Sequence, residues 1–337
     1  MRLQPFRRRA SLGTVLAFVC VCVCDSADAL AQDGGVAPAK AGSTHDLRPR
    51  FVEGRTTQYE FWGKRTTSSV TTARWGEKAV WRTMDSKGRV LWRVDQVNPD
   101  GSAACVMTLQ WLTLTMTQNE GEPIAIDSRE EPEEGNRIAR RISAFVNKPL
   151  RCEVGADGTV NDISGVDAIS AALEQIQNAG GPVKNAMFLE QASTLATIPG
   201  VQADIELDAI WQSSNKWPRD YGKIQEPMDY RVNSIEEISG IPIATVKAQA
   251  DLGFEPDEEK LGDGRVDIQM NKGHAEAQIM FDLQRHEVVG RNSIETVRLT
   301  VSTDTEQLSF TSVIDEHIQS QLVRVAEGED RDDAENE

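Results

Sequence analysis

Long stretches of this sequence alternate apolar with polar residues, and a period of two is the pattern of a strand with one buried face. The alternation is strict where Val297, Leu299 and Val301 are separated by polar residues. The same strand-favouring composition, rich in Val, Thr, Trp, Leu and Ile, recurs over 89–97, 105–116, 294–302 and 307–325. The chain is therefore expected to be built mainly on β-sheet.

Short turn signals separate these segments. They are Asp85-Ser86-Lys87-Gly88, Asp100-Gly101, Asp157-Gly158, Asp263-Gly264 and Asn271-Lys272-Gly273. Asp-Gly and related pairs favour the tight turns that join antiparallel strands. We therefore predict hairpins at these positions.

The segment that starts at Cys105 contains a change of phase. Cys105, Met107, Leu109 and Trp111 share one parity, whereas Leu112, Leu114 and Met116 take the other. A one-residue slip of this kind indicates a β-bulge or a strong bend near Trp111-Leu112. The predicted sheet is therefore curved.

Three helices are predicted in the middle of the chain. Apolar residues recur at helical spacing from Val166 to Ile176, after a segment from Ser164 to Asp167 that resembles a capping box. Further helices are expected over about 183–196 and 135–145. This order of strands, helices and strands predicts an α+β fold: curved, half-barrel-like antiparallel sheets with two to three helices inserted mid-chain.

The N-terminal 31 residues have the pattern of an export signal. A basic start is followed by an uncharged run of 13 residues over 12–24, too short to cross a bilayer, and Ala29-Leu30-Ala31 fits a signal-peptidase site. We predict cleavage between Ala31 and Gln32 and a periplasmic or extracellular location. Lipidation of a nearby cysteine is a weaker alternative, because Val19 precedes Cys20. The mature chain is expected to have no transmembrane anchor.

The remaining chain divides by composition. Residues 32–49 are rich in Gly, Ala, Pro and Ser and predict a flexible leader, and 50–326 form the α+β domain. Two similar halves, 50–165 and 200–326 joined by helices over 166–197, stay an open alternative. Seven of the eleven residues in 327–337 are acidic, which predicts a disordered tail.

The formal net charge of −17 excludes a broad nucleic-acid surface, since such surfaces need Lys and Arg. Cys105 and Cys152 are the two cysteines left after the signal, an even number in an oxidising compartment. A bridge between them would stabilise the fold by about 4 kcal/mol. Two separate buried thiols are the alternative.

The chain has few signs of catalytic chemistry. The Ser213-Ser214-Asn215-Lys216 segment matches the Ser-x-x-Lys pattern of penicillin-recognising enzymes but lacks the companion motifs, and it lies in a stretch that looks irregular. Acidic pairs are too numerous for one carboxylate dyad to be chosen. We expect neither a metal site nor a cofactor.

Five of the seven tryptophans lie within 50 residues, at positions 62, 75, 81, 92 and 111. Such a group can line a groove for a ligand or fill the core of a curved sheet. Trp92, Trp111, Phe188 and Leu195 are the predicted sheet and lid positions of a binding surface.

The region 51–325 resembles an exported bacterial family of strand-rich proteins known only as a domain of unknown function. The matching segments are 94–103, 157–160, 164–167, Trp211 with Pro218, and 273–282. The architecture is also similar to that of periplasmic lipoprotein carriers, in which a half-barrel and a helical lid enclose an apolar cavity. The first resemblance implies no catalytic residues.

These observations favour a non-catalytic exported protein that binds an apolar or amphipathic ligand, such as a lipid, or an envelope protein on a curved sheet. One alternative is an envelope hydrolase that uses unidentified carboxylates or Ser213. Another is a structural protein of the envelope that acts through edge strands and the acidic tail.

Overall fold

A computed structural model describes residues 44–176, 188–196, 198–201, 203–219, 222–256, 266–304 and 309–325. The predicted signal peptide, its cleavage site at Ala31 and Gln32, most of the leader and the acidic tail lie outside the described residues. The same holds for the predicted turn at Asp263-Gly264.

The described chain consists mainly of strands. The strands are β1 (Thr56–Ala73), β2 (Gly76–Val97), β3 (Ala103–Gln118), β4 (Ile124–Asp127), β5 (Pro149–Val154), β6 (Val160–Ser164), β7 (Ile210–Arg219), β8 (Gly222–Ile238), β9 (Ile241–Asp251), β10 (Gly253–Pro256), β11 (Asp267–Asp282), β12 (Glu287–Asp304) and β13 (Ser309–Val325). The described helices are α1 (Arg137–Ser143), α2 (Val166–Glu174) and α3 (Leu189–Ala196).

All thirteen strands belong to one sheet, in the order β10-β8-β9-β11-β12-β13-β1-β2-β3-β5-β6, with β4 on β3 and β7 on β8. Neighbouring strands are antiparallel. The first and last strands pair with each other from Gln58 opposite Val325 to Ala73 opposite Phe310. The two ends of the described chain are thus joined at the centre of the sheet.

The α+β prediction is wrong, because the described chain is one large open sheet with three short helices. The error has a local cause. Asp85–Gly88 and Asn271–Gly273 are not turns but parts of β2 and β11, so these strands are longer than predicted. The Asp100-Gly101 and Asp157-Gly158 turns are confirmed, with φ of 86° at Gly101 and 85° at Gly158.

Gly88 lies in the middle of β2, where the ring of Phe61 packs directly on it and leaves no room for a side chain. A Cβ at this position would overlap the ring of Phe61 and lie 2.8 Å from the carbonyl oxygen of Trp111. The glycine therefore permits a close approach of Phe61 to the strand, and no turn is needed to explain it.

Replacing Gly88 with alanine should lower the free energy of unfolding by about 1–3 kcal/mol, because the added methyl group forces the Phe61 ring to move. Phe61→Leu in the same chain should recover part of that loss. Gly253→Ala is the matched control, since its Cβ would meet Gln225 at an ordinary 3.6 Å. Equal losses at Gly88 and Gly253 in urea unfolding would contradict this explanation.

The predicted bend is confirmed as a bulge next to Trp111. Arg89 pairs with Trp111 but Val90 pairs with Leu109, which leaves Gln110 as the extra residue on β3. The bulge changes which residues face the core: Met107 is buried before it and Leu112 after it. The side chain of Trp111 consequently points away from the core face.

One face of the sheet carries the whole core. A register row across the sheet contains Phe61, Leu322, Arg291, Ile279, Val246 and Val232. Phe61 and Leu322 belong to a cluster that includes all three helices, and the last three residues belong to a second cluster with the segment 198–205. The opposite face of β7–β13 is mainly polar, with Ile210 and Ile294 exposed on it.

Candidate functional site

The polar face of the second half of the sheet carries an open groove of about 830 Å³. We call it the outer groove, because it lies on the side opposite the core. Its side chains come from β7, β8, β9, β11, β12 and β13. Period-two alternation places them: Gln249 on β9 and Glu276 on β11 each lie between two alanines that face the core.

Two register rows form the groove. The acidic row contains Gln212, Asp229, Gln249, Glu276, Ile294 and Gln319, each directly opposite the next on the neighbouring strand. The basic row contains Ile210, Arg231, Lys247, Gln278 and Asn292 in the same order of strands. At about 4.8 Å per strand, the acidic row is about 24 Å long, and the two rows lie about 7 Å apart.

The two rows balance each other in charge. The acidic row has two carboxylates and the basic row has two cations, although the whole chain has a formal charge of −17. The guanidinium group of Arg231 donates to Asp208, with its Nη2 2.7 Å from Asp208 Oδ1. Gln212 donates to Asp229 at 2.6 Å. The two rows are thus balanced in charge, and Asp208 adds a carboxylate beside Arg231.

Amides dominate the polar groups of the groove. They belong to Gln212, Asn233, Gln249, Gln278, Asn292 and Gln319. In the described part of the chain, the side chains of Asn233, Gln249, Gln278 and Asn292 make no hydrogen bond to protein. Each amide offers donors and an acceptor to a ligand.

His274 lies next to the acidic row, two residues before Glu276 on β11, and faces the same side of the sheet. Its Nε2 is 2.9 Å from Glu276 Oε1 and its Nδ1 is 3.3 Å from Asp251 Oδ1. The hydrogen bond to Glu276 raises the pKa of His274 most, Asp251 adds to the rise, and desolvation opposes it. This contribution to stability is present below the ordinary pKa of histidine and is lost as the pH rises through the raised value.

Glu276→Gln should therefore lower the pKa of His274 toward 6.5. The measurement is an NMR titration of the imidazole resonances. Glu237→Gln, which removes an exposed carboxylate of β8 outside the groove, is the control and should leave that pKa unchanged. An unchanged pKa in Glu276→Gln would show that this contact does not form in solution.

The four predicted binding residues do not lie together. Trp92 and Leu195 are each 5% exposed within the first core cluster, and Phe188 packs against that cluster with its ring centroid 6.1 Å from that of Phe145. Trp111 lies on the other face, under the guanidinium of Arg129, which is 5.0 Å from the ring centroid. Ligand binding by these four residues stays a prediction.

Cys105 and Cys152 are directly opposite each other on β3 and β5, both fully buried, and both have free thiols in the structure. The predicted bridge is therefore not formed here, although the chain brings the two residues together.

The Ser213-to-Lys216 segment is part of β7 and not irregular. Residues three apart on a strand point to opposite faces, so Ser213 and Lys216 cannot act on one substrate together. Ser213 Oγ is 3.5 Å from the hydroxyl of Tyr230, and Lys216 pairs with Glu255 at 2.8 Å.

Sequence reasoning missed the outer groove. Its residues alternate with core residues and look like any solvated strand face, as in Lys247-Ala248-Gln249. The available signal was the repeated choice of amides at outward positions on several strands.

Metal-ligand clusters and membrane-spanning helices are both absent from the described residues. No group of three or more His, Cys, Asp and Glu side chains there is placed to hold a metal ion. None of the described helices has the length and apolar character needed to span a membrane.

Comparison with known proteins gave structural neighbours only. No family model matches the chain, and no curated protein matches it. Lipovitellin, solved in a study of lipid–protein interactions, is similar at 12% identity over 82% of this chain, with a TM-score of 0.47. The match covers 25% of lipovitellin, so this chain corresponds to about a quarter of that protein.

Two bacterial proteins are also among the neighbours. A DUF1329 family protein from Desulfovibrio piger matches 76% of this chain and 83% of its own, at 10% identity and a TM-score of 0.14. An exported protein with a YmcC-like fold from Bacteroides fragilis matches 80% of this chain and 97% of its own, at 12% identity and a TM-score of 0.15.

Proposed function

We propose that this chain is a non-catalytic, exported binding protein whose outer groove holds an extended, uncharged and hydroxyl-rich ligand, that is, a glycan chain. The observation that carries this proposal is the pair of amide-bearing register rows across six strands.

Amides suit hydroxyl groups because each partner both donates and accepts. Gln249 and Gln278 lie in different rows at the centre of the groove, on neighbouring strands. A chain of hydroxyl-bearing rings along the groove would meet side-chain donors and acceptors on both sides.

The charge balance favours a neutral ligand. A polyanion would meet Asp229 and Glu276 along one row, and a polycation would meet Arg231 and Lys247 along the other. Like-charge contacts of this kind oppose binding. A neutral polar chain avoids both.

Apolar contacts are available at three points. Ile210 is 68% exposed and Ile294 44% exposed, and both line the groove. The basic row continues from Asn292 through Gln321 to the half-buried Trp62 on β1. Such side chains offer flat apolar surface to the C–H face of a sugar ring.

The apolar ligand expected from the sequence would need a different surface. The aromatic residues chosen for it are split between the core and the outer face, whereas the outer groove is open and mainly polar. An uncharged glycan therefore agrees better with the geometry than a lipid does.

The direct test is calorimetric titration of the full-length exported chain with cellohexaose, mannohexaose and chitohexaose. We expect at least one of them to bind with a Kd below about 1 mM, a free energy of about −4 kcal/mol. If none of the three binds at this level, the proposal is wrong.

One observation supports a hydrolase as the second candidate. Asp229 and Glu276 face the same groove in one register row, two strands apart, and glycosidases use a pair of carboxylates. Chromatography of the same oligosaccharides after incubation separates the two functions. Intact sugars fit the binding protein, whereas cleavage that Asp229→Asn abolishes would establish the hydrolase.

A further inference from the structure

The pairing of β3 with β5 brings the two cysteines of the described sheet side by side, although both are free thiols in the structure. Cys105 and Cys152 are direct partners in the antiparallel pair of β3 and β5. Directly opposed residues in such pairs have Cα atoms about 4.5–5.5 Å apart, within the roughly 4.4–6.8 Å range of disulfides. Side chains of directly opposed residues also point to the same face.

The surroundings of the two thiols offer them no other chemistry. Their register row runs from Val94 through both cysteines to Ile163, and all four residues are buried on the core face. No third metal-ligating group accompanies them among the described residues. The Cys152 thiol also lies 3.9 Å from the carbonyl oxygen of Leu150.

We propose that Cys105 and Cys152 form a disulfide that staples β3 to β5 and closes the loop carrying β4 and α1. In this reaction the two thiols lose two protons and two electrons to a disulfide oxidant. The oxidant is reduced to two thiols through a mixed disulfide, and the S–S bond of the protein forms as the reduced oxidant leaves.

The burial of the pair determines when the bond can form. Both residues are 0% exposed, and desolvation raises the pKa of each thiol to about 12. The thiolate that must attack the oxidant is therefore scarce in the folded protein, and the oxidant has no access to it. The bridge forms while β3 and β5 are still open, and folding then shields it from reductants.

Peptide mapping of the full-length chain after export into an oxidising compartment tests the bond. The protein is denatured in N-ethylmaleimide, digested without reductant and analysed by mass spectrometry. We expect a linked pair of peptides that contain Cys105 and Cys152, which separates on reduction. Maleimide adducts on both residues in the exported protein would overturn the proposal.

The timing is tested on reduced, folded protein incubated with oxidised glutathione, with and without denaturant. We expect oxidation at least tenfold slower in the folded protein, and equal rates would contradict the shielding. Loss of the bridge in Cys105→Ala/Cys152→Ala should lower Tm by roughly 5 °C or more relative to the oxidised wild type. The same variant compared with the reduced wild type controls for packing and should differ much less.

Discussion

Replacing Trp92 with alanine should lower the free energy of unfolding by about 3–5 kcal/mol and Tm by roughly 6–15 °C. Trp92 is 5% exposed, lies opposite Met107 and belongs to the core cluster that the helices cover. Truncation leaves a large cavity that rigid strands on both sides cannot fill. Thermal and urea unfolding measure the effect.

Trp75→Ala is the matched control, because the same side chain is 69% exposed there. A change within about 0.5 kcal/mol is expected for it. The folded fraction of the Trp92 variant should bind oligosaccharide as the wild type does. Unchanged stability with weakened ligand binding would instead show that Trp92 lines a ligand site, as predicted from the sequence.

Removing the two central amides, Gln249→Ala with Gln278→Ala, should weaken oligosaccharide binding by at least tenfold. The two side chains lie in different rows on neighbouring strands and have no protein hydrogen bond in the described chain. Each lost hydrogen bond to the ligand costs about 0.5–1.5 kcal/mol, and each amide makes more than one. Calorimetry on folded protein measures the loss.

Gln96→Ala is the control for this prediction, since Gln96 is exposed on β2 outside the groove. It should leave both affinity and Tm unchanged. The double variant should also keep the Tm of the wild type, because surface substitutions in strands have small effects. If Gln96→Ala lost as much affinity as the double variant, the ligand would not bind in the outer groove.

Local pattern was enough to predict the strands, the bulge next to Trp111 and two of the hairpin turns. It failed where a glycine serves packing instead of a turn. Asp85–Gly88 has the composition of a turn, and only the Phe61 ring, distant in sequence, explains why β2 continues through it. Because these strands were predicted too short, the helices made up too large a share of the predicted structure, and the predicted fold class was wrong.

The outer groove could not be predicted for a related reason. Asp229, Gln249 and Glu276 become neighbours only through strand register, which depends on pairing across the whole sheet. Each strand by itself shows ordinary alternation of polar and buried residues. Counting alone singled out Cys105 and Cys152, and the structure places them opposite each other as free thiols, so the bridge itself stays a prediction.

The most direct test of the binding site is an NMR titration that follows the side-chain amide groups during addition of the hexasaccharide that binds in calorimetry. We predict that the NH₂ resonances of Gln249, Gln278 and Asn292 shift progressively with ligand, while those of Gln96 and Gln118 stay in place. Shifts confined to residues around the first core cluster, with unchanged groove amides, would contradict the outer groove as the binding site.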